Sequence, residues 1–157
     1  MPQNNSKDTL IGVVKNIDAK EGIYTLFLIE TGEEKLFTYD GTTSFTSRYN
    51  QPLTAGEIAY GEIVEVTFDT ATSKLKTCNI TDKAWEYKEI RNWKLDKNSK
   101  SIVIGTKNYQ YTNQFYAFDR NGEIDTNQLS NKDQVTIKGI AGQVYSIIVT
   151  KGHGYLT

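Results

Sequence analysis

Few of the 157 residues carry side chains on which reactions depend. There is one histidine, His153, and one cysteine, Cys78. Sites built on two imidazoles, on a cluster of thiolates or on an internal disulfide are excluded by count. His153 lies between Gly152 and Gly154, with no Ser, Cys or carboxylate at a spacing that would orient it as a base, so it reads as a turn residue. Cys78 alternates with Ile80 in a strand-like stretch. A reactive thiol needs nearby positive charge or a helix N-terminus to lower its pKa, so this one reads as buried and inert.

Nineteen carboxylates are present, and Glu57, Glu62 and Glu65 come nearest to a cluster. Nothing around them marks a cleft in which one carboxyl would be held protonated for acid catalysis. Residues 119–125 (Asp-Arg-Asn-Gly-Glu-Ile-Asp) place four oxygen-bearing side chains together. The glycine comes too early for an EF-hand and no twelfth-position Glu follows, so Asn121-Gly122 reads as a two-residue hairpin turn. There is no glycine-rich phosphate loop, no Gly-x-Ser-x-Gly elbow and no His-Glu-x-x-His. The sequence therefore assigns no catalytic residue, metal ligand or cofactor, and no enzymatic activity is expected.

Binding chemistry remains. Lys88, Arg91, Lys94, Lys97 and Lys100 recur about every third residue, interleaved with Tyr87 and Trp93. Tyr109, Tyr111, Phe115, Tyr116 and Phe118 form a dense aromatic run. One set of these rings should fill a core. Another, if exposed, would be a flat platform for a sugar or a protein. The candidate ligand-binding residues are Tyr87, Trp93, Lys94, Lys97, Tyr109, Tyr111 and Tyr116. The main reading is a protein or glycan bound through the aromatics. The alternative is single-stranded nucleic acid or another anionic polymer tracked by the lysines.

Net charge bears on that choice. Residues 1–85 hold eight Lys/Arg against twelve Asp/Glu, and residues 86–157 hold ten against seven, for a total of −1. A basic second half suits an anionic partner, yet the whole chain lacks the strong basic footprint of a typical nucleic-acid binder. No apolar run is long enough to cross a bilayer, so this segment is not expected to insert into a membrane.

These residues must be positioned by strands. Period-two alternation predicts strands over residues 10–17, 24–30, 35–39, 63–69, 75–81, 91–95, 101–106, 107–112, 115–118, 134–139 and 143–150. Residues 53–60 and 83–93 are long enough for a helical turn or two. The halves also match in pattern. Ile17-Asp18 resembles Leu95-Asp96, Phe37-Thr-Tyr39 resembles Tyr109-Gln-Tyr111, residues 58–66 resemble 129–137, and residues 74–81 resemble 143–150. Phe45 and Phe115 follow at similar places.

About five strands in roughly 70 residues bury too little surface to stand as an open sheet, so each unit is expected to close. The predicted fold is all-β: two tandem small antiparallel β-barrels, OB-like or SH3-like, packed together. The units span 9–84 and 85–151, joined by residues 84–90, and 152–157 begin a truncated strand or a further domain. The sequence fixes no oligomeric state.

The closing motif Lys151-Gly-His-Gly-Tyr-Leu156 resembles the first strand of PEGA-type β-sandwich domains in Firmicute envelope proteins. The β units before it are similar to the β-repeat regions upstream of such domains. The resemblance implies a non-catalytic interaction or spacer module of a larger cell-envelope protein, extracytoplasmic or at the cell surface. A cytoplasmic location is the alternative, since the first eight residues are polar.

Overall fold

The computed structural model describes residues 9–111 and 115–152. His153 and most of the closing motif lie outside the described residues, and with them the strand expected after residue 152. Among the described residues all regular structure is β apart from two single 3₁₀ turns, and the chain divides into two units, Met1–Asp82 and Lys83–Thr157.

Unit 1 contains β1 (Thr9–Asp18), β2 (Ile23–Leu28), β3 (Glu34–Thr38), β4 (Ser44–Thr46), β5 (Pro52–Leu53), β6 (Ile63–Phe68) and β7 (Leu75–Ile80). They pair in the order β3-β2-β1-β6-β7-β4-β5, antiparallel except for β4 beside β7. Alternation decides which side chains turn inward: Val64, Val66 and Phe68 of β6 join Tyr24, Leu26, Phe37, Phe45, Leu75 and Cys78 in one core. Burial of each large apolar side chain contributes roughly 1.5–3 kcal/mol. Between β1 and β2 the chain turns tightly, with Gly22 at φ 70° and the Asp18 carboxylate accepting the Glu21 N–H at 3.0 Å.

Unit 2 contains β8 (Ala84–Ile90), β9 (Trp93–Asp96), β10 (Ser101–Ile104), β11 (Lys107–Gln110), β12 (Tyr116–Asp119), β13 (Gly122–Ile124), β14 (Gln134–Ile140) and β15 (Gln143–Lys151). The path runs β13-β12-β15-β11-β10-β9, and β14 pairs both β15 and β8. The pairing scheme of unit 1 recurs. Val64–Ile80, Val66–Cys78 and Phe68–Leu75 in unit 1 correspond to Val135–Val149, Ile137–Ile147 and Gly139–Val144 in unit 2. The parallel pair Phe45–Cys78 corresponds to Ala117–Ile147, and the parallel bridge Thr38–Lys74 to Gln110–Gln143. Each unit also places a capped 3₁₀ turn before its penultimate strand, Ala55–Glu57 in one and Thr126–Gln128 in the other.

Several expectations need correcting. The sheets are mixed and do not close as continuous barrels. In unit 1 the third strand is split by the turn at Asp40, whose carboxylate accepts the Thr42 N–H at 2.8 Å and pairs with Lys74 at 2.6 Å. β3 therefore stays on β2 while β4 crosses to β7, and β3 reaches the β7 side only by the Thr38–Lys74 bridge. Residues 84–90 form β8 rather than a linker or helical turn, and the unit boundary falls at 82/83. Glu89 at φ 53° bulges out of β8 and breaks the alternation that would have marked a strand. The β12–β13 hairpin turns at Arg120-Asn121, one residue earlier than expected, because Asp119 caps the Asn121 N–H at 2.8 Å and Gly122 takes the positive φ.

Candidate binding site

The seven candidate residues fall into different environments. Trp93 is a core residue: its indole is buried and Nε1–H donates to the Asp133 carbonyl at 2.9 Å. It is paired with Ile104, and the alternation that turns it inward leaves Lys94 exposed on the other face of β9. Trp93 therefore offers no stacking surface.

Tyr87 and Tyr109 are half-buried and share a hydroxyl–hydroxyl hydrogen bond of 2.6 Å. Trp85 completes the cluster, its ring 4.4 Å from Tyr109 and 5.5 Å from Tyr87, with Nε1–H donating to the Ala141 carbonyl at 2.6 Å. The Tyr87 hydrogen bond, then burial, pushes the Tyr109 phenol up to about 12. The Trp85 ring lies over Gly139, where an added Cβ would collide with that ring and the Gln143 carbonyl. The equivalent place in unit 1 is filled by Phe68, edge-on to Phe37 at 5.0 Å. The cluster thus substitutes indole for phenyl at this position, with its two hydroxyls bonded to each other and its indole N–H bonded to the Ala141 carbonyl. Tyr116 on β12 is half-buried beside Ser146.

Lys97 and Tyr111 do come together. With Leu95, Lys100, Phe115, Thr126 and Asn127 they line an open hollow of about 280 Å³. The β9–β10 turn supplies both lysines, and Asp96 holds that turn by accepting the Asn98 and Ser99 N–H groups. Those bonds, Ser99's first, keep the Asp96 carboxyl below its usual range. The 3₁₀ turn places Asn127, since Asp125 accepts the Asn127 N–H at 2.8 Å. Lys97 Nζ then donates to Asn127 Oδ1 at 2.8 Å. The Tyr111 and Phe115 rings meet edge to face at 4.6 Å, and burial, with Asp96 nearby, raises the Tyr111 phenol. Phe115 is buried, so Tyr111 is the ring this hollow presents.

Among the described residues neither Lys97 nor Lys100 lies within ion-pair distance of a carboxylate. Two unneutralised ammonium groups, one aromatic ring and one side-chain amide converge there. Lys100 belongs to the recurring basic run, but Phe115 and Asn127 were not legible as site residues. Phe115 sits in an aromatic run that looks like packing, and Asn127 is placed only by the 3₁₀ turn.

A larger open hollow of about 780 Å³ lies between the β12–β13 turn and the end of β15, over Ile124, Ile148 and Val149. Its acids are engaged by backbone: Asp119 accepts the Asn121 N–H, and Asp133 accepts the Ser130 N–H at 2.9 Å. Among the described residues no three His, Cys, Asp or Glu side chains form a metal-sized group, and no helix is long and apolar enough to cross a membrane.

No protein-family model and no curated protein matches the chain. Two solved structures match in part. Silver(I)-bound CusF is 21% identical, with a TM-score of 0.35 over 46% of this chain and 95% of that one. A copper(II)-bound variant of CusF from Escherichia coli is 20% identical, with a TM-score of 0.33 over 47% and 90%. Likeness at that level carries no inference about fold or ligand.

Proposed function

We propose that this chain is a non-catalytic binding module whose second unit takes an acidic glycan. The observation that carries the reading is the hollow lined by Lys97, Lys100 and Tyr111, in which neither lysine is paired with a carboxylate among the described residues. A sugar ring lies well on a phenol face, its hydroxyls suit Asn127, and its acid suits the ammonium pair. Nucleic-acid binding is less well supported, because single strands are held by successive aromatic platforms along a basic groove. Here Trp93 is buried and Tyr87 and Tyr109 are bonded to each other.

Burying one sugar face on Tyr111 contributes about 1–2 kcal/mol, and each exposed lysine contact less than about 1. A single sugar therefore binds near millimolar, and useful affinity comes from a polymer engaging many copies. That suits a module of a cell-envelope or surface protein, the setting implied by the closing motif. In this reading the two units are duplicated OB-like barrels, each near closure through its parallel bridge, serving as a rigid mount.

The test is titration of the full chain with polygalacturonate, neutral dextran and oligo-thymidylate at rising salt. Binding of polygalacturonate alone, weakening with salt, is expected. Equal binding of dextran, or preference for the oligonucleotide, would refute the acidic-glycan assignment.

A further inference from the structure

The two units can be compared position by position. Gly22, between β1 and β2, has φ 70°, and its carbonyl accepts the Tyr39 N–H at 2.9 Å. The matching residue between β9 and β10 is Lys100, at φ 52°, and its carbonyl accepts the Tyr111 N–H at 3.0 Å. Both residues take a positive φ and accept the matching hydrogen bond, but a lysine stands where glycine fits. A Cβ in the left-handed region carries a steric cost that glycine escapes.

A second difference lies beside it. In unit 1 the Tyr39 ring packs against Tyr24 at 5.2 Å and Phe45 at 5.5 Å. The shared strand pairings match Tyr24 to Ile102 and Phe45 to Ala117. Two rings are replaced by smaller side chains, and Tyr111, the counterpart of Tyr39, turns to Phe115 at the rim of the hollow. The end that unit 1 fills with aromatics is the end where unit 2 has its opening.

We infer that Lys100 is a ligand-contacting, specificity-determining residue, kept in a glycine-favouring conformation because its ammonium and that of Lys97 hold the anionic group of a single sugar ring lying on Tyr111. The chain accordingly has one such site, in unit 2. Lys97 has spent one N–H on Asn127 and retains two, and Lys100 has three, enough for both oxygens of a carboxylate. The hollow's volume suits one ring. This rests on the acidic-glycan reading above.

The experiment is an NMR titration of the full chain with tetragalacturonate, with glucose and inorganic phosphate as comparison probes, alongside urea unfolding of each variant. Lys100→Gly is expected to bind about three- to fivefold more weakly and to unfold at higher urea, since it sheds the left-handed strain. Lys100→Asn, which tolerates that conformation, should lose affinity similarly, whereas Lys94→Gln on the opposite strand face should change it less than twofold. If the unaltered chain does not saturate with tetragalacturonate, the functional reading falls and this inference with it. If it saturates but Lys100→Gly binds within twofold of it, this inference alone falls. Phosphate binding as tight as tetragalacturonate, two bound oligomers per chain, or a lower unfolding midpoint for Lys100→Gly would also overturn it.

Discussion

Replacing Trp93 by Phe separates a core residue from a ligand platform. The indole is 5% exposed, and its N–H is bonded to the Asp133 carbonyl at 2.9 Å. Phenylalanine removes that donor and with it one buried hydrogen bond, a loss of about 0.5–1.5 kcal/mol. A cavity on the order of 40 Å³, at ~24 cal/mol per Å³, adds about 1 kcal/mol. The sum is about 1.5–2.5 kcal/mol. With a urea dependence near 1 kcal/mol per molar for a unit this small, the unit 2 midpoint should fall by roughly 1.5 M or more. Both tryptophans of the chain, Trp85 and Trp93, lie in unit 2. Indole fluorescence of the variant, from Trp85 alone, therefore follows that unit without interference. A midpoint shift below about 0.3 M would refute the placement of Trp93 in the core and restore it as a surface ring.

Three further outcomes follow from the buried groups. Burial pushes the Cys78 thiol up to about 12, so a disulfide reagent at pH 8 should label it only in urea; rapid stoichiometric labelling of the folded chain would contradict its burial. The folded state keeps protons on Cys78 and Tyr109 to about 12, whereas unfolded thiol and phenol lose them near 8.5 and 10. Stability should thus be complete below pH 8, fall progressively towards pH 12, and fall less in Cys78→Ala, whereas a flat profile from pH 8 to 11 would refute the sign. Ser146 Oγ is fully buried without a hydrogen-bond partner, so Ser146→Ala should be neutral or stabilising by about 1 kcal/mol in urea unfolding; a loss exceeding 1 kcal/mol would reveal a partner.

Most strands were legible because alternation and turn residues are local signals, whereas the short β4, β5 and β13 and the bulged β8 were not among those expected. The internal match of 37–39 with 109–111 and of 74–81 with 143–150 sets side by side residues that hold the same bridges and ladder positions. The parallel pairs β4–β7 and β12–β15 were not legible, since strands some thirty residues apart carry no mark of their partner. Phe115 was matched to Phe45 by residue type, but by the parallel register the counterpart of Phe45, opposite Cys78, is Ala117, opposite Ile147. Trp93 shows the limit of alternation: it separates two faces of a strand without saying which is buried, and flanking Arg91 and Lys94 suggested the wet one. Of the candidate hollow, Lys97 and Tyr111 were visible as charge and ring. Lys100 was visible only as one of a series, and its standing depends on the glycine at the matching turn.

The parallel pairing has a consequence for synthesis. β7 lies between β6 and β4, and β15 touches β14, β12 and β11, yet each is made after every strand it touches. A nascent unit 1 has β4 and β5 without an anchor, and one flank of β6 bare, until residue 80 has emerged. Each ladder is thus completed by a strand made after its neighbours, and a ribosome paused before it holds out an unpaired flank, β6 with Val64 and Val66 or β14 with Val135 and Ile137, to which holding chaperones would bind.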